Sequence, residues 1–263
     1  MRYHIIFLSI LFNLIIASNV LAYEMVVEFS ATAIQKAPGR PDYQRKMYIA
    51  KNQVRTESVF NNVQLIEIVK IKKQERIVLL PEHKVYMQQQ NNNPAMQEVA
   101  ESNKDAKPCD GLANTSCVML AKEIINERPT EKWEFKLKQD EQERISLHWI
   151  DVEHRMIVRE FMPDGTVMEL IPKGVEMLNG RSSEKWLWQL LTSDGQTRTS
   201  TQWYDPELKM TIREEIEGGY IREISDIKIG SHNNELFEIP PGYKRVEDIQ
   251  EYIASQQTMA NPE

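Results

Sequence analysis

The sequence predicts a mainly β protein built on a curved antiparallel sheet. Three observations predict it: apolar and polar residues alternate along most of the chain, turn formers separate the alternating runs at regular distance, and one frame of residues occurs twice. The 263 residues are 41% hydrophobic and 27% charged, with five Trp and nine Tyr, which is the composition of a folded chain.

The first residues read as an export signal. Arg2 and His4 precede an apolar run from Ile5 to Ala17, and Val20 and Ala22 are the small residues that a cut after Ala22 requires. The run is shorter than the roughly 20 residues of a membrane-spanning helix. The expected organisation is a signal peptide at 1–22, a β domain at 23–246, and a C-terminal helix with a flexible tail at 247–263. The exported protein is then soluble and periplasmic. A net charge of −7, with both signs spread along the chain, argues against nucleic acid and against an anionic membrane surface.

The alternating segments begin with "EMVVEFSATAI" and continue through "RIVLLP" and "KVYMQQ". In "KWEFKLK" Trp133, Phe135 and Leu137 share one side; "RISLHWI" does the same with Ile145, Leu147 and Trp149, and "MTIREEI" with Met210, Ile212 and Ile216. Period two with one apolar side marks antiparallel strands that bury a single face. Pro163-Asp164-Gly165, Asn179-Gly180, Ser193-Asp194-Gly195 and Gly218-Gly219 mark the turns. Two segments depart from the pattern. "PAMQEVAESNKDA" (94–106) spaces Met96, Val99 and Ala100 as a short helix does, and "VEDIQEYIASQQ" aligns Val246, Ile249 and Ile253 on one helical side.

Cys109 and Cys117 are the two cysteines, close together in "PCDGLANTSC". In an oxidising compartment such a pair reads as a disulfide; seven intervening residues and no nearby His set it apart from redox and metal pairs.

The doubled frame spans about 123–173 and 175–229. At an offset of 53, Asn126, Arg128 and Glu131-Lys132-Trp133 match Asn179, Arg181 and Glu184-Lys185-Trp186. At an offset of 54, Trp149, Asp151, Met156, Arg159-Glu160, Gly165 and Glu169 match Trp203, Asp205, Met210, Arg213-Glu214, Gly219 and Glu223. This frame decides the reading of Ser182-Ser183-Glu184-Lys185, which spells the serine nucleophile and lysine base S-x-x-K. The first copy has Pro129 where the second has Ser182, and on a strand the serine and lysine point to opposite faces. The stretch is scaffold.

No catalytic, cofactor or metal site is legible. G-x-S-x-G and H-E-x-x-H are absent. His148 and His154 approach each other across a hairpin without a third ligand. The paired tryptophans Trp133/Trp186 and Trp149/Trp203 either line a ligand surface or form core. A curved sheet with one apolar face needs a cover, whether helices, closure into a barrel or an apolar ligand.

At "WYDPELKMTIREE" (203–215) and "EISDIKIGSHNNELFEIPPGYKRV" (223–246) the chain resembles the LolA/LolB-like superfamily of periplasmic lipoprotein-carrier proteins. Within it, the Cys109/Cys117 loop, the E-K-W strand and the "LFEIPPGYKRV" end are similar to DUF4412-type exported proteins. The resemblance implies a half-open antiparallel barrel with short helices as a lid. It further implies non-enzymatic binding or carriage of a lipid, acyl chain or lipoprotein. The alternative it implies is an envelope module that senses or binds a membrane-associated protein. The carrier reading predicts a large apolar cleft, walled by sheet and lidded by the 94–106 and C-terminal helices.

Overall fold

A computed structural model describes residues 27–60, 62–90, 107–110, 112–139 and 142–260. The signal segment 1–22 and the helical candidate at 94–106 lie outside the described residues.

The protein is mostly β, with one large, curved, unclosed antiparallel sheet. The first group of strands is β1 (Phe29–Lys36), β2 (Tyr43–Ala50), β3 (Gln53–Phe60), β4 (Val63–Lys70), β5 (Glu75–Leu80) and β6 (Val85–Gln90). The next is β7 (Thr115–Ile125), β8 (Arg128–Gln139), β9 (Gln142–Asp151), β10 (Ile157–Phe161) and β11 (Val167–Leu178). Then come β12 (Arg181–Leu191), β13 (Thr197–Asp205), β14 (Met210–Ile216), β15 (Tyr220–Ile229) and the short β16 (Lys244–Arg245), before helix α1 (Ile249–Ala260). Across the sheet the order is β16-β6-β5-β4-β3-β2-β1-β15-β14-β13-β12-β11-β10-β9-β8-β7. Neighbours are joined by hairpins except where β1 meets β15 and where β16 lies beside β6, so the meander β1–β6 is sewn to the meander β7–β15 at the β1–β15 seam.

The turns follow from their residues. Asn126 and Asn179 sit at the β7–β8 and β11–β12 tips with φ of 50° and 52°, a conformation that asparagine tolerates better than most side chains. Bulges in β7–β8, β9–β10 and β13–β14 interrupt strict alternation and bend the strands.

Both faces of the sheet carry apolar residues, which corrects the expectation of a single apolar side. Trp133 pairs with His148 across β8–β9, whereas Trp149 pairs with Lys132. Directly paired residues share a face and successive ones do not, so the Trp133-Phe135 row and the Ile145-Leu147-Trp149 row point opposite ways. Followed strand by strand, the Trp133 face continues through Met168, Leu170 and Trp186 to Ile224, Ala33, Met47 and Val78. The Trp149 face continues through Trp203 to Ile68 and Leu79.

The C-terminal segment grips the β6 edge from both sides. "NELF" (234–237) is a 3-10 turn, not the strand that its alternation suggests. Phe237, fully buried, packs with Ile66, Ile68, Ile77 and Leu79 on the Trp149 face. Lys244-Arg245 then pairs in parallel with Val85-Tyr86, and α1 turns onto the other face, where Ile249 meets Val78, Leu80 and Val85. Asp248 starts the helix by accepting from the amides of Gln250 and Glu251. Lys70 Nζ holds both Glu238 carboxylate oxygens at 2.8 Å. At the far end, β7 has β8 as its single partner strand among the described residues, and Val118, Leu120 and Ile124 along it are exposed. Cys109 and Cys117 form a disulfide that ties the preceding loop to β7 beside Phe135.

Candidate functional site

The residues of the doubled frame build the same polar network twice. Arg128 donates to the buried Asp151 and to Glu153; Arg181 donates to the buried Asp205 and to Glu207. Each aspartate also accepts backbone amides of its turn, from Glu153 and His154 in one copy and from Glu207 and Leu208 in the other. Burial opposes ionisation of Asp151, but the Arg128 guanidinium and the His154 amide outweigh it and hold the carboxyl below its ordinary value.

A second pair of networks lies on the Trp149 face. The Trp149 ring is flanked by Lys132 Nζ at 4.8 Å and Arg159 Cζ at 5.8 Å, and Trp203 by Lys185 at 5.1 Å and Arg213 at 5.6 Å. The indole N–H donates to Glu123 Oε2 in the first case (2.8 Å) and Glu176 Oε2 in the second (2.9 Å). Asn126 and Asn179 complete the frames by donating to Glu169 and Glu223. Every group has its partner, so Trp149 and Trp203 belong to closed structural ladders.

Trp133 and Trp186 lie on the other face. Both are buried, yet they differ in one atom. Trp133 Nε1 donates to Glu131, while Trp186 Nε1 has no partner. The glutamate equivalent to Glu131 is Glu184, and His154 from the first copy has claimed it at 2.9 Å, with its ring stacked on Tyr204. His154 therefore pairs with Glu184. Among the described residues no group of His, Cys, Asp and Glu is placed to hold a metal.

One polar group on the Trp133 face went unrecognised in the sequence. Ser146 Oγ lies 2.7 Å from His148 Nε2, and Glu160 Oε1 is 3.7 Å from the same nitrogen. Phe135 packs on the imidazole with ring centroids 4.2 Å apart. His148 is 8% exposed, and its Nδ1 has no hydrogen-bond partner. Burial lowers the imidazole pKa to about 4 and raises that of the Glu160 carboxyl. Serine, histidine and carboxylate are the components of a hydrolytic triad, but the arrangement differs. A triad has the carboxylate on the imidazole nitrogen opposite the serine, which fixes the tautomer and supports the imidazolium. Here both groups meet Nε2, and a base with a pKa of about 4 is weak at neutral pH. The signal available in the sequence was the spacing of Ser146 and His148, two apart on a strand and hence on one face.

One pocket among the described residues is a polar notch of about 410 Å³ lined by Asn179, Gly180, Arg181, Ser225, Asp226 and Ile227. It is not the apolar cleft that the carrier reading predicts. The apolar surface is instead spread over the sheet. On the Trp133 face Met119, Val175, Met177 and Tyr220 are exposed, and Trp188 and Leu190 are half-buried. Helix α1 reaches this face at β4–β6, through Ile249, Tyr252 and Ile253.

No family profile matches the chain, and no curated protein matches it. Solved structures do. A LolA superfamily protein from Nitrosomonas europaea aligns over 81% of this chain and 90% of its own, with 12% identity and a TM-score of 0.38. A DUF1329 family protein from Desulfovibrio piger aligns over 83% and 91%, with 13% identity and a TM-score of 0.35. An outer membrane lipoprotein-sorting protein domain from Vibrio parahaemolyticus, itself described as putative, aligns over 80% and 88%, with 8% identity and a TM-score of 0.32. No described helix is long and apolar enough to cross a membrane.

Proposed function

We propose that the protein binds a hydrophobic ligand (a lipid, acyl chain or lipoprotein) without catalysis, on the Trp133 face, in the periplasm. The observation that carries this reading is the extent of that face beyond the reach of α1. From β7 to β15 it exposes Met119, Val175, Met177 and Tyr220 and leaves Trp188 and Leu190 half-buried, with no described helix over them. Burying such a surface gains roughly 25 cal/mol per Å² of apolar area, and contiguous apolar area on a folded protein marks a contact surface. The export signal, the Cys109–Cys117 disulfide and the sequence resemblance to periplasmic carriers support the compartment.

Native mass spectrometry of the protein purified from its own periplasm tests the reading. The expected result is a discrete adduct that extracts into organic solvent as a lipid. A clean apo mass, with no later uptake of a fluorescent fatty acid, overturns it.

A second reading, an envelope module that binds a protein partner, is favoured by the polar character of the notch and by β7. Among the described residues that strand has an unpaired edge, with Val118, Leu120 and Ile124 exposed, the form in which sheets accept an added strand. In this case a protein copurifies instead of a lipid, and Lys substituted for Leu120 abolishes its capture.

A further inference from the structure

Asn179-Gly180 is the single Asn-Gly step in the chain. It makes up the whole connection from β11 to β12, since Leu178 on one side pairs with Arg181 on the other. With φ of 52° and 78° the two residues take the left-handed backbone that so short a hairpin connection requires. Both are exposed, and both border the polar notch. A Cβ added at Gly180 would meet no atom within 4 Å, and among the described residues no hydrogen bond engages the Gly180 amide. The Asn179 carboxamide donates to Glu223 Oε1 at 2.8 Å. That bond is exposed, so water competes for it.

The first copy of the frame has the same tie beside a different neighbour. Asn126 has φ of 50° and donates to Glu169 Oε1 at 2.9 Å. It also donates to the Leu170 carbonyl at 3.3 Å and is half-buried. Glu127 follows it where Gly180 follows Asn179. A side chain at that position crowds the amide nitrogen between the two residues, and glycine leaves it open. The Glu127 carboxylate also disfavours the negative charge that this nitrogen must carry to act as a nucleophile.

From this we infer that Asn179 is a site of spontaneous deamidation, which cuts the tie between the β11–β12 tip and β15. The Gly180 nitrogen gives its proton to water and attacks Asn179 Cγ. The new N–C bond closes a five-membered succinimide, and the side-chain nitrogen takes up a proton and leaves as ammonia. Water then opens the ring. Attack at Cγ gives aspartate on the original backbone; attack at the main-chain carbonyl gives isoaspartate, whose chain runs on through Cγ. Either product sets a carboxylate where a donor faced Glu223, whose side chain is 13% exposed and holds Arg213 at 2.7 Å. Like charges at such a distance repel. Isoaspartate also lengthens a two-residue connection that fixes the register of β11 and β12. The site is independent of what the Trp133 face binds.

The test is incubation of the full exported chain at neutral and at mildly alkaline pH, followed by tryptic peptide mapping and urea titration. Peptide 174–181 is expected to gain the mass of an amide-to-acid exchange, faster at the higher pH, with isoaspartate as the main product. Peptide 123–132, which carries Asn126, is expected to be intact when half of 174–181 has converted. The urea midpoint falls as conversion proceeds, and Asn179→Asp lowers it in the unaged protein. Gly180→Ala, shown to be folded by circular dichroism, slows the conversion several-fold. An unchanged 174–181, or equal conversion of 123–132, overturns the assignment. Conversion that Gly180→Ala does not slow overturns the succinimide route. Conversion that leaves the urea midpoint where it was overturns the release of the tip.

Discussion

The guanidinium of Arg181 clasps the buried carboxylate of Asp205 as that of Arg128 clasps Asp151 one unit earlier. In each case the aspartate also closes its own turn, so two hairpin ends are fixed by one side chain.

Removing the arginine leaves a buried carboxylate with backbone amides alone. Arg181→Ala is therefore expected to destabilise the fold by about 3–5 kcal/mol, and Arg128→Ala by a similar amount, as read from the urea midpoint. A surface ion pair would cost about 1 kcal/mol or less, so the size of the effect separates the two descriptions.

The Asp151 cluster also sets an acid limit. Its folded pKa lies below the ordinary value, so the stability it contributes is present above the unfolded pKa of about 3.9 and is lost as pH falls through the folded one. Urea midpoints of the wild type and Asp151→Asn are expected to differ at pH 7 and to converge below about pH 4.

His148 acts in a different window. Unfolded, its imidazole takes up a proton near pH 6.5, but the folded group does so only at about 4. The unfolded chain binds more protons between those values, so stability falls as pH drops from about 6.5 to 4, by on the order of 2–3 kcal/mol. The raised pKa of Glu160 works in the opposite sense, its contribution being present at low pH and lost as pH rises through the folded value. His148→Gln, the residue of the second copy, keeps Glu160 and removes the imidazole. Across that interval its urea midpoint is expected to lose less than that of the wild type.

Helix α1 is held through few apolar side chains, with Ile249 buried and Tyr252 and Ile253 half-buried. Ile249→Asp is expected to release it and bare Val78, Leu80 and Val85. Amide exchange should then quicken in β5 and β6 while β11 and β12 keep wild-type protection.

Strand content, the turns at 163–165, 179–180 and 193–195, and the doubled frame were legible because each is written in local alternation or in turn formers. The face of a given side chain was not. "KWEFKLK" and "RISLHWI" look alike as alternating runs, and the pairing of Trp133 with His148 turns them opposite ways. Register comes from contacts between strands, and a shift of one residue inverts it. "LFEIPP" alternates like a strand, yet Phe237 is buried from a 3-10 turn because Pro240 and Pro241 bar further pairing. Of the candidate site, the four tryptophans were visible as pairs but not their division between faces. Ser146, His148 and Glu160 were invisible as a group, because Glu160 joins the other two only across β9–β10.

The two borders of the sheet differ in kind. At β6 the chain supplies its own neighbour in Lys244-Arg245 and folds α1 over the margin, whereas among the described residues no strand pairs with the outer edge of β7. A sheet with two free margins can add copies without limit and grow into a fibre. With one margin sealed, any stacking of copies through β7 would stop at a pair. Loss of the last twenty residues, which include both β16 and α1, would restore the second margin and turn a self-terminating association into a propagating one.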